Sequence, residues 1–248
     1  MELTYSYYSF KNKKRDLDWD MSYYKASIVK AKTLGHTIKL YSDKFAYEKL
    51  KPYINEYVDI SNESFILTDD LKLYIHSKEN LNCITIDGDI ILENTLETSD
   101  NFSVIFDRRG RIKSRKEPSI FSSYFNILQR YEIEKSIPLF DYEGIFSSNV
   151  GLLKFNNQEV KDLLIDKYYE IRKYFLNVIE PKENIVDKSD FAKLLCEYYF
   201  TRVIEKKEIS VGYFETFNNY VHYYSDRKNS KEFTSRVNII LNKEYDKI

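Results

Sequence analysis

Patterns typical of strands and of helices alternate along residues 3–92, and this alternation restricts the fold more than any other feature of the sequence. Runs that alternate apolar and polar residues predict strands, and apolar residues three and four positions apart predict helices. The predicted strands are 3–10, 37–41, 58–60 and 83–86, and the predicted helices between them are 21–34, 45–51 and 71–77. Such an order is typical of an α/β protein with flanking helices on a mostly parallel sheet.

The second half of the chain is less regular. It contains predicted strands at 102–107, 145–155 and 221–224, and predicted helices at 159–178, 191–200 and 231–241. The strand at 145–155 is interrupted by a polar stretch at 147–151. Because there is no internal repeat and no low-complexity linker, we expect residues 1–248 to form a single domain.

Asp87, Gly88 and Asp89 directly follow the fourth predicted strand, so two carboxylates lie there with one glycine between them. An ionised carboxylate at the end of a buried strand needs water, a basic group or a metal, because desolvating it alone is very costly. On an extended chain, residues i and i+2 point to the same side, so both carboxylates would face one cation. We expect Gly88 to leave room for a bulky ligand. The alternative is a pair of solvated turn carboxylates.

Composition excludes several classes of protein. The net charge of −1 gives no overall attraction to nucleic acid or to acidic membranes. No run of apolar residues is long enough for a transmembrane helix, and no secretory signal pattern opens the sequence. Cys83 and Cys196 lack the spacing of metal ligands, which favours reduced core cysteines and a cytoplasmic location.

Four stretches of this sequence, in this order, resemble motifs of the GT-A-fold glycosyltransferases, in particular bacterial enzymes similar to families 8 and 32. They are Ile38–Asp43, Ile86–Leu92 with the helix before it, Phe146–Leu152 and Val221–Lys228. The resemblance implies a GT-A-like (Rossmann-like) fold and transfer of a hexose from a UDP- or GDP-sugar to an acceptor hydroxyl. It further implies a retaining outcome, a saccharide, lipid-linked or protein acceptor, and a role in surface polysaccharide or glycoconjugate synthesis.

The resemblance also assigns roles to individual residues. Asp87, Asp89 and His222 would ligate Mn²⁺ or Mg²⁺, and an imidazole ligand favours Mn²⁺. Without the resemblance, a histidine on a short apolar strand is more often a hydrogen-bonded core residue. Lys228 would neutralise the departing diphosphate, or else be one of several solvated surface lysines.

Further residues are expected to contact the donor. Lys72 would face the donor from the preceding helix, with a solvated helix face as the alternative. Asn149 and Gly151 would contact the sugar, with a plain strand bulge as the alternative. Asp190 would orient the sugar with Asn149. Tyr7 and Asp43 would bracket the base and ribose, with packing of the Tyr7 ring in the core as the alternative.

Three matters stay open at this stage. The basic run 108–116 is predicted to be a loop, which fits a lid over the diphosphate, a grip on a phosphorylated acceptor or a solvated hairpin, and nucleic acid ranks low. Asp87-Gly88-Asp89 also resembles the nucleophile motif of haloacid-dehalogenase-type phosphohydrolases, although that motif usually opens its domain. A non-catalytic nucleotide-sugar-binding protein on a degenerate transferase fold is the other alternative.

Overall fold

The structure is a computed structural model that describes residues 1–8, 17–65, 70–111, 129–137, 146–179, 181, 194–223 and 230–245. In chain order its elements are β1 (Glu2–Tyr7), α1 (Leu17–Thr33), β2 (Thr37–Ser42), α2 (Lys44–Leu50), β3 (Glu56–Asp59), α3 (Asp70–Lys78), β4 (Ile84–Ile86), β5 (Ile90–Leu92), β6 (Val104–Arg111), α4 (Ile133–Ser136), β7 (Phe146–Phe155), α5 (Gln158–Tyr174), α6 (Phe200–Lys206), β8 (Val211–Tyr213), β9 (Tyr220–His222) and α7 (Lys231–Tyr245). Helices flank a mixed, mostly parallel arrangement of strands, so the predicted α/β class is confirmed.

The chain divides into two compact units. The first comprises Met1–Ser64, Cys83–Thr98 and Glu215–Ile248, and the second comprises Phe65–Asn82 and Ser99–Phe214. The chain passes between the units several times, so neither is a continuous stretch of sequence. That all 248 residues form a single domain stays a prediction.

Four parallel strands form the sheet of the first unit, in the order β3-β2-β1-β4. Leu3, Tyr5 and Tyr7 of β1 are buried, as expected for a central strand with β2 on one side and β4 on the other. Gly35 follows α1 with a φ of 84°, a left-handed conformation that glycine adopts without strain and that ends the helix.

A two-stranded antiparallel sheet of β5 and β9 also belongs to the first unit. Packed against it are α1 and α7, and their shared core contains Tyr23, Ile91, Tyr223, Phe233 and Val237. The Tyr223 and Phe233 rings are stacked with centroids 4.2 Å apart. This core fixes β9 beside β5, which brings a late part of the sequence next to the Asp87–Asp89 segment.

In the second unit, β6 pairs antiparallel with β7 and parallel with β8. A register shift between Phe106 and Arg108 marks a bulge in β6. The core of this unit is rich in aromatic side chains and includes Phe155, Tyr168 and Phe200.

A buried ionic cluster joins α3 to α5 in the second unit. Arg172 donates from Nε and Nη2 to the two carboxylate oxygens of Asp70 at 2.6 and 2.9 Å. Tyr168 donates its hydroxyl to Asp70 Oδ1 at 2.6 Å. Asp70 is only 3% exposed, so its charge depends on these donors for compensation.

Several predicted elements differ from the structure. The predicted interruption of the strand at 145–155 is wrong, because β7 runs unbroken from Phe146 to Phe155. The basic run was expected in a loop, whereas Arg108–Arg111 belong to β6 and pair with β7; residues 112–116 lie outside the described residues. β8 was not predicted. The α-helical pattern at 159–178 changes after Tyr174 into a π-helix over Phe175–Ile179.

Candidate functional site

The two carboxylates lie in a turn that follows β4 in the first unit. The backbone N–H of Ile90 donates to the carbonyl of Asp87 at 3.1 Å, which closes the turn before β5 begins. The expectation of an extended chain at Asp87–Asp89 is therefore wrong. The carboxylates approach each other because the chain turns between two short strands, and strand alternation does not bring them together.

His222 reaches the same turn from β9. In the antiparallel pairing, Ile90 lies opposite His222, and the N–H of Tyr223 donates to the carbonyl of Asp89 at 3.0 Å. His222 Nε2 lies 3.5 Å from Asp89 Oδ1. The backbone pairing thus places the imidazole beside a carboxylate that is more than 130 positions earlier in the sequence.

One ligand atom from each of Asp87, Asp89 and His222 lies within 4.8 Å of the other two. Ligand atoms of an octahedral ion with bonds of about 2.1 Å lie about 3.0 to 4.2 Å apart, so a small inward movement would bring these three atoms to the required spacing. Asp89 and His222 are 3% and 8% exposed, and Asp87 is half-buried. Two hard carboxylate oxygens and one imidazole nitrogen suit Mn²⁺, so the residues fit a divalent metal.

Tyr24 of α1 fills the space that Gly88 was expected to leave for a ligand. A Cβ atom at Gly88 would lie 2.4 Å from two carbons of the Tyr24 ring. The Tyr24 hydroxyl donates to the carbonyl of Ser6 at 2.8 Å, which holds the ring against the turn. The missing side chain at Gly88 therefore permits close packing of α1, contrary to the expected ligand access.

Asp20 and Tyr23, both on α1, lie at the edge of the cluster. Tyr23 donates its hydroxyl to Asp20 Oδ1 at 2.9 Å. Burial raises the pKa of Tyr23, and the nearby Tyr24, Asp20 and Asp89 raise it further. The sequence reasoning missed Asp20 and Tyr24. The signal available for them was their spacing of four, but the predicted helix 21–34 begins one residue after Asp20, and the pattern does not say which turn that face contacts.

Tyr7 and Asp43 both have structural partners in the first unit. Tyr7 is buried, and its hydroxyl donates to Asp20 Oδ2 at 3.5 Å. The Tyr7 and Tyr24 rings are in edge-to-face contact, with their centroids 5.2 Å apart. Asp43 caps α2 by accepting the N–H of Ala46 at 3.0 Å. Their proposed contacts with base and ribose stay predictions.

Lys72, Asn149 and Gly151 belong to the second unit. Lys72 is buried and donates from Nζ to the carbonyl of Val150 at 2.8 Å, so the alternative of a solvated helix face is wrong. Asn149 Oδ1 accepts the N–H of Gly151 at 2.9 Å, and Asn149 Nδ2 donates to Glu197 Oε1 at 3.0 Å.

Glu197 is a half-buried carboxylate that the sequence reasoning also missed. It lies on a π-helix over Leu194–Tyr199. The sequence pattern predicted a helix at 191–200 but did not indicate this uncommon conformation. Asp190 and Lys228 lie outside the described residues, and their roles stay predictions.

No protein-family profile and no curated protein sequence matches this chain. Among solved structures, the chain is similar to the glycosyltransferase GlyE of Streptococcus pneumoniae TIGR4 at 12% identity and a TM-score of 0.49, covering 99% of this chain and 63% of GlyE. It is similar to the galactosyltransferase LgtC at 10% identity and a TM-score of 0.44, covering 96% of this chain and 83% of LgtC. It is also similar to the CTP:phosphocholine cytidylyltransferase LicC of Streptococcus pneumoniae at 14% identity and a TM-score of 0.43, covering 97% of this chain and 98% of LicC.

The chain thus spans less than two thirds of the length of GlyE. These likenesses have identities of 10–14% and TM-scores below 0.5, so the resemblance to GT-A-fold glycosyltransferases stays a prediction. The activity has to be argued from the side chains of the site. Among the described residues, no helix is long and apolar enough to cross a membrane.

Proposed function

We propose that this chain is a metal-dependent glycosyltransferase that moves a hexose from a UDP- or GDP-sugar to an acceptor hydroxyl. The observation that carries the proposal is the convergence of Asp87, Asp89 and His222 within 4.8 Å, just after β4. Ligands of parallel α/β sheets bind beyond the carboxyl ends of the strands, and Ile86 is the last residue of β4.

The three side chains would hold Mn²⁺ or Mg²⁺, and the ion would supply positive charge to the diphosphate as it departs. Asp89 is buried beside His222, so its carboxylate is fixed in place before a donor binds. Asp87 is more exposed and forms the side of the cluster open to solvent. Since one ligand is an imidazole, we propose Mn²⁺ as the preferred ion.

The other candidate residues are assigned by the resemblance. Tyr7 contacts Tyr24, which packs on the metal-binding turn, and this fits a place near the base of the donor. Asn149 is held by Glu197, and a fixed amide is suited to orienting a sugar hydroxyl. We also propose Asp43 and Gly151 in donor binding, Lys72 and Lys228 toward the diphosphate, and Asp190 beside the sugar.

Several finer features are proposals of the same kind. We propose a retaining outcome, a saccharide, lipid-linked or protein acceptor, no nucleic-acid partner, and a role in surface polysaccharide or glycoconjugate synthesis. We also propose a cytoplasmic location, which fits Cys83 and Cys196 as buried thiols.

The two alternatives are less favoured. In a haloacid-dehalogenase-type site, Asp87 would attack phosphate and Asp89 would act as the acid. Here Asp89 lies 3.5 Å from His222 and is buried, an arrangement suited to holding a cation. A non-catalytic nucleotide-sugar-binding protein predicts the same metal site without turnover, so a kinetic measurement separates it from an enzyme.

The test is thermal stability of the protein against a panel of nucleotide sugars, with and without Mn²⁺. A ligand that binds only the folded state raises the melting temperature. We expect a UDP- or GDP-sugar to stabilise the protein only when Mn²⁺ is present, and the donor that does so should be hydrolysed or transferred.

Two variants make this test specific. Asp89→Ala should abolish the metal-dependent shift, whereas Asp166→Ala, at an exposed position of α5, should leave it unchanged. If no nucleotide sugar stabilises the protein with either Mn²⁺ or Mg²⁺, the glycosyltransferase proposal is wrong. If binding occurs without turnover of any donor, the non-catalytic alternative holds.

A further inference from the structure

A cavity of about 950 Å³ lies in the first unit, away from the three candidate metal ligands. It is lined by the C-terminal half of α1, the segment around Pro52, Glu93 just after β5, and the C-terminal half of α7. Glu93 is four residues beyond Asp89, which corresponds to roughly 13 Å along the strand. The volume falls in the range of pockets that hold small organic ligands.

One wall of the cavity is apolar. Val29, Ile239 and Ile240 contribute aliphatic side chains, and Pro52 and Tyr53 also line the cavity. Ile239 is 52% exposed, so its side chain is accessible to a ligand in the cavity. Such a wall favours a ligand with a hydrocarbon portion, because burying apolar surface is the main source of affinity.

The remaining lining is strongly basic. Lys30, Lys32, Arg236 and Lys243 all line the cavity, and Glu93 is the single acid among the lining residues that the structure describes. Glu93 forms an ion pair with Arg236, and among the described lining residues three lysines then remain without a second acid beside them. In a chain with a net charge of −1, this local excess of positive charge favours binding of a ligand with an anionic group.

We propose that this cavity binds a single-chain amphiphile with a phosphate headgroup, with the chain against Ile239 and Ile240 and the phosphate near Lys32 and Lys243. The proposal does not depend on the metal site. The ligand has to contact both the apolar wall and the basic side chains. A neutral detergent would contact only the first, and a free phosphate ion only the second. Lysine binds phosphate as a point charge, so the headgroup needs no fixed geometry.

The test is calorimetric titration of the full chain with hexyl, octyl and decyl phosphate as monomers in solution. Each added methylene that becomes buried should tighten binding about fourfold, from about 0.8 kcal/mol per methylene. Inorganic phosphate and decyl maltoside should each bind far more weakly than decyl phosphate. Raising the salt concentration should weaken the binding of decyl phosphate more than the binding of decyl maltoside.

Two variants locate the binding site. Ile239→Asp and the double variant Lys32→Gln/Lys243→Gln should each weaken decyl phosphate about tenfold, since each removes one half of the site. Phe45→Asp, at another exposed apolar side chain, and Lys207→Gln, at an exposed lysine, are the controls and should not change binding. The melting temperature of each variant shows that it is folded.

Three results would overturn the proposal. The first is equal binding of decyl phosphate and decyl maltoside, and the second is unchanged affinity in both cavity variants. The third is association with vesicles that contain anionic phospholipid but not with monomeric decyl phosphate, which would mean that this face contacts a membrane surface and not a single lipid chain.

Discussion

Replacing Gly88 with alanine tests the packing of the turn that carries both carboxylates. The added methyl group would lie 2.4 Å from carbons of the Tyr24 ring, where ordinary van der Waals contact begins at about 3.4 Å. The ring or the turn must therefore move by about 1 Å. Movement of the ring is resisted by its neighbours, because its hydroxyl bonds Ser6 and its faces contact Tyr7 and Tyr23.

Two opposing effects set the size of the change. Overpacking of this kind costs about 1–3 kcal/mol, whereas glycine-to-alanine replacement stabilises by about 0.4–1 kcal/mol through the unfolded chain. The φ angle at Gly88 lies outside the left-handed range, so alanine meets no backbone strain there. We expect Gly88→Ala to lower the free energy of unfolding by about 1–2 kcal/mol and the affinity for Mn²⁺ by about tenfold.

Urea unfolding of a double-mutant cycle measures this effect. In a Tyr24→Ala background the ring is absent, so Gly88→Ala should become neutral or slightly stabilising. Gly212→Ala is a matched control, because its Cβ would lie 2.4 Å from the Phe102 ring in the other unit. That variant should lose stability without losing affinity for Mn²⁺. If Gly88→Ala is as stable as the wild type, the turn has free space and the packing argument is refuted.

Two further predictions concern the second unit. Burial lowers the pKa of His76 to about 3, so between pH 6.5 and about 3 the unfolded chain holds a proton that the folded chain lacks. The free energy of unfolding should fall by up to about 1.4 kcal/mol per pH unit as the pH drops through this window. Urea unfolding at several pH values measures this slope, and His76→Gln should flatten it. An unchanged slope would contradict the assignment of the pH dependence to His76. Asp70→Asn should lower the free energy of unfolding by about 3 kcal/mol, because Arg172 loses its counter-charge. Arg172→Met in the Asp70→Asn background should recover part of this loss, and no recovery would mean that the ion pair is not the cause.

The alternation of strands and helices made the architecture of the first unit predictable. Apolar side chains at Leu3, Tyr5, Ile38 and Leu40 cover one face of the parallel sheet, and this alternation is visible in the sequence. The register of β5 against β9 is not visible, because it depends on α1 and α7 covering the pair. The sequence therefore predicted that Asp87, Asp89 and His222 form one site only through the family resemblance.

Two local expectations failed for physical reasons. Asp87–Asp89 looked like a strand end, but the short strands on either side belong to different sheets, so the chain has to turn between them. Arg108–Arg111 looked like a basic loop, yet pairing with β7 satisfies their backbone groups in a strand. Charge patterns reflect exposure to solvent, and an arginine is equally well solvated on a strand and in a loop.

The most direct test of the account is electron paramagnetic resonance of Mn²⁺ titrated into the protein in the presence of UDP or GDP. The signal of the hexaaquo ion measures free Mn²⁺, because Mn²⁺ bound to the protein no longer contributes to it. The account predicts one bound Mn²⁺ per chain, and affinity at least tenfold weaker in Asp89→Asn and in His222→Ala. Absence of bound Mn²⁺ with either nucleotide, or equal affinity in the wild type and both variants, would contradict the proposal that Asp87, Asp89 and His222 form the metal centre of a glycosyltransferase.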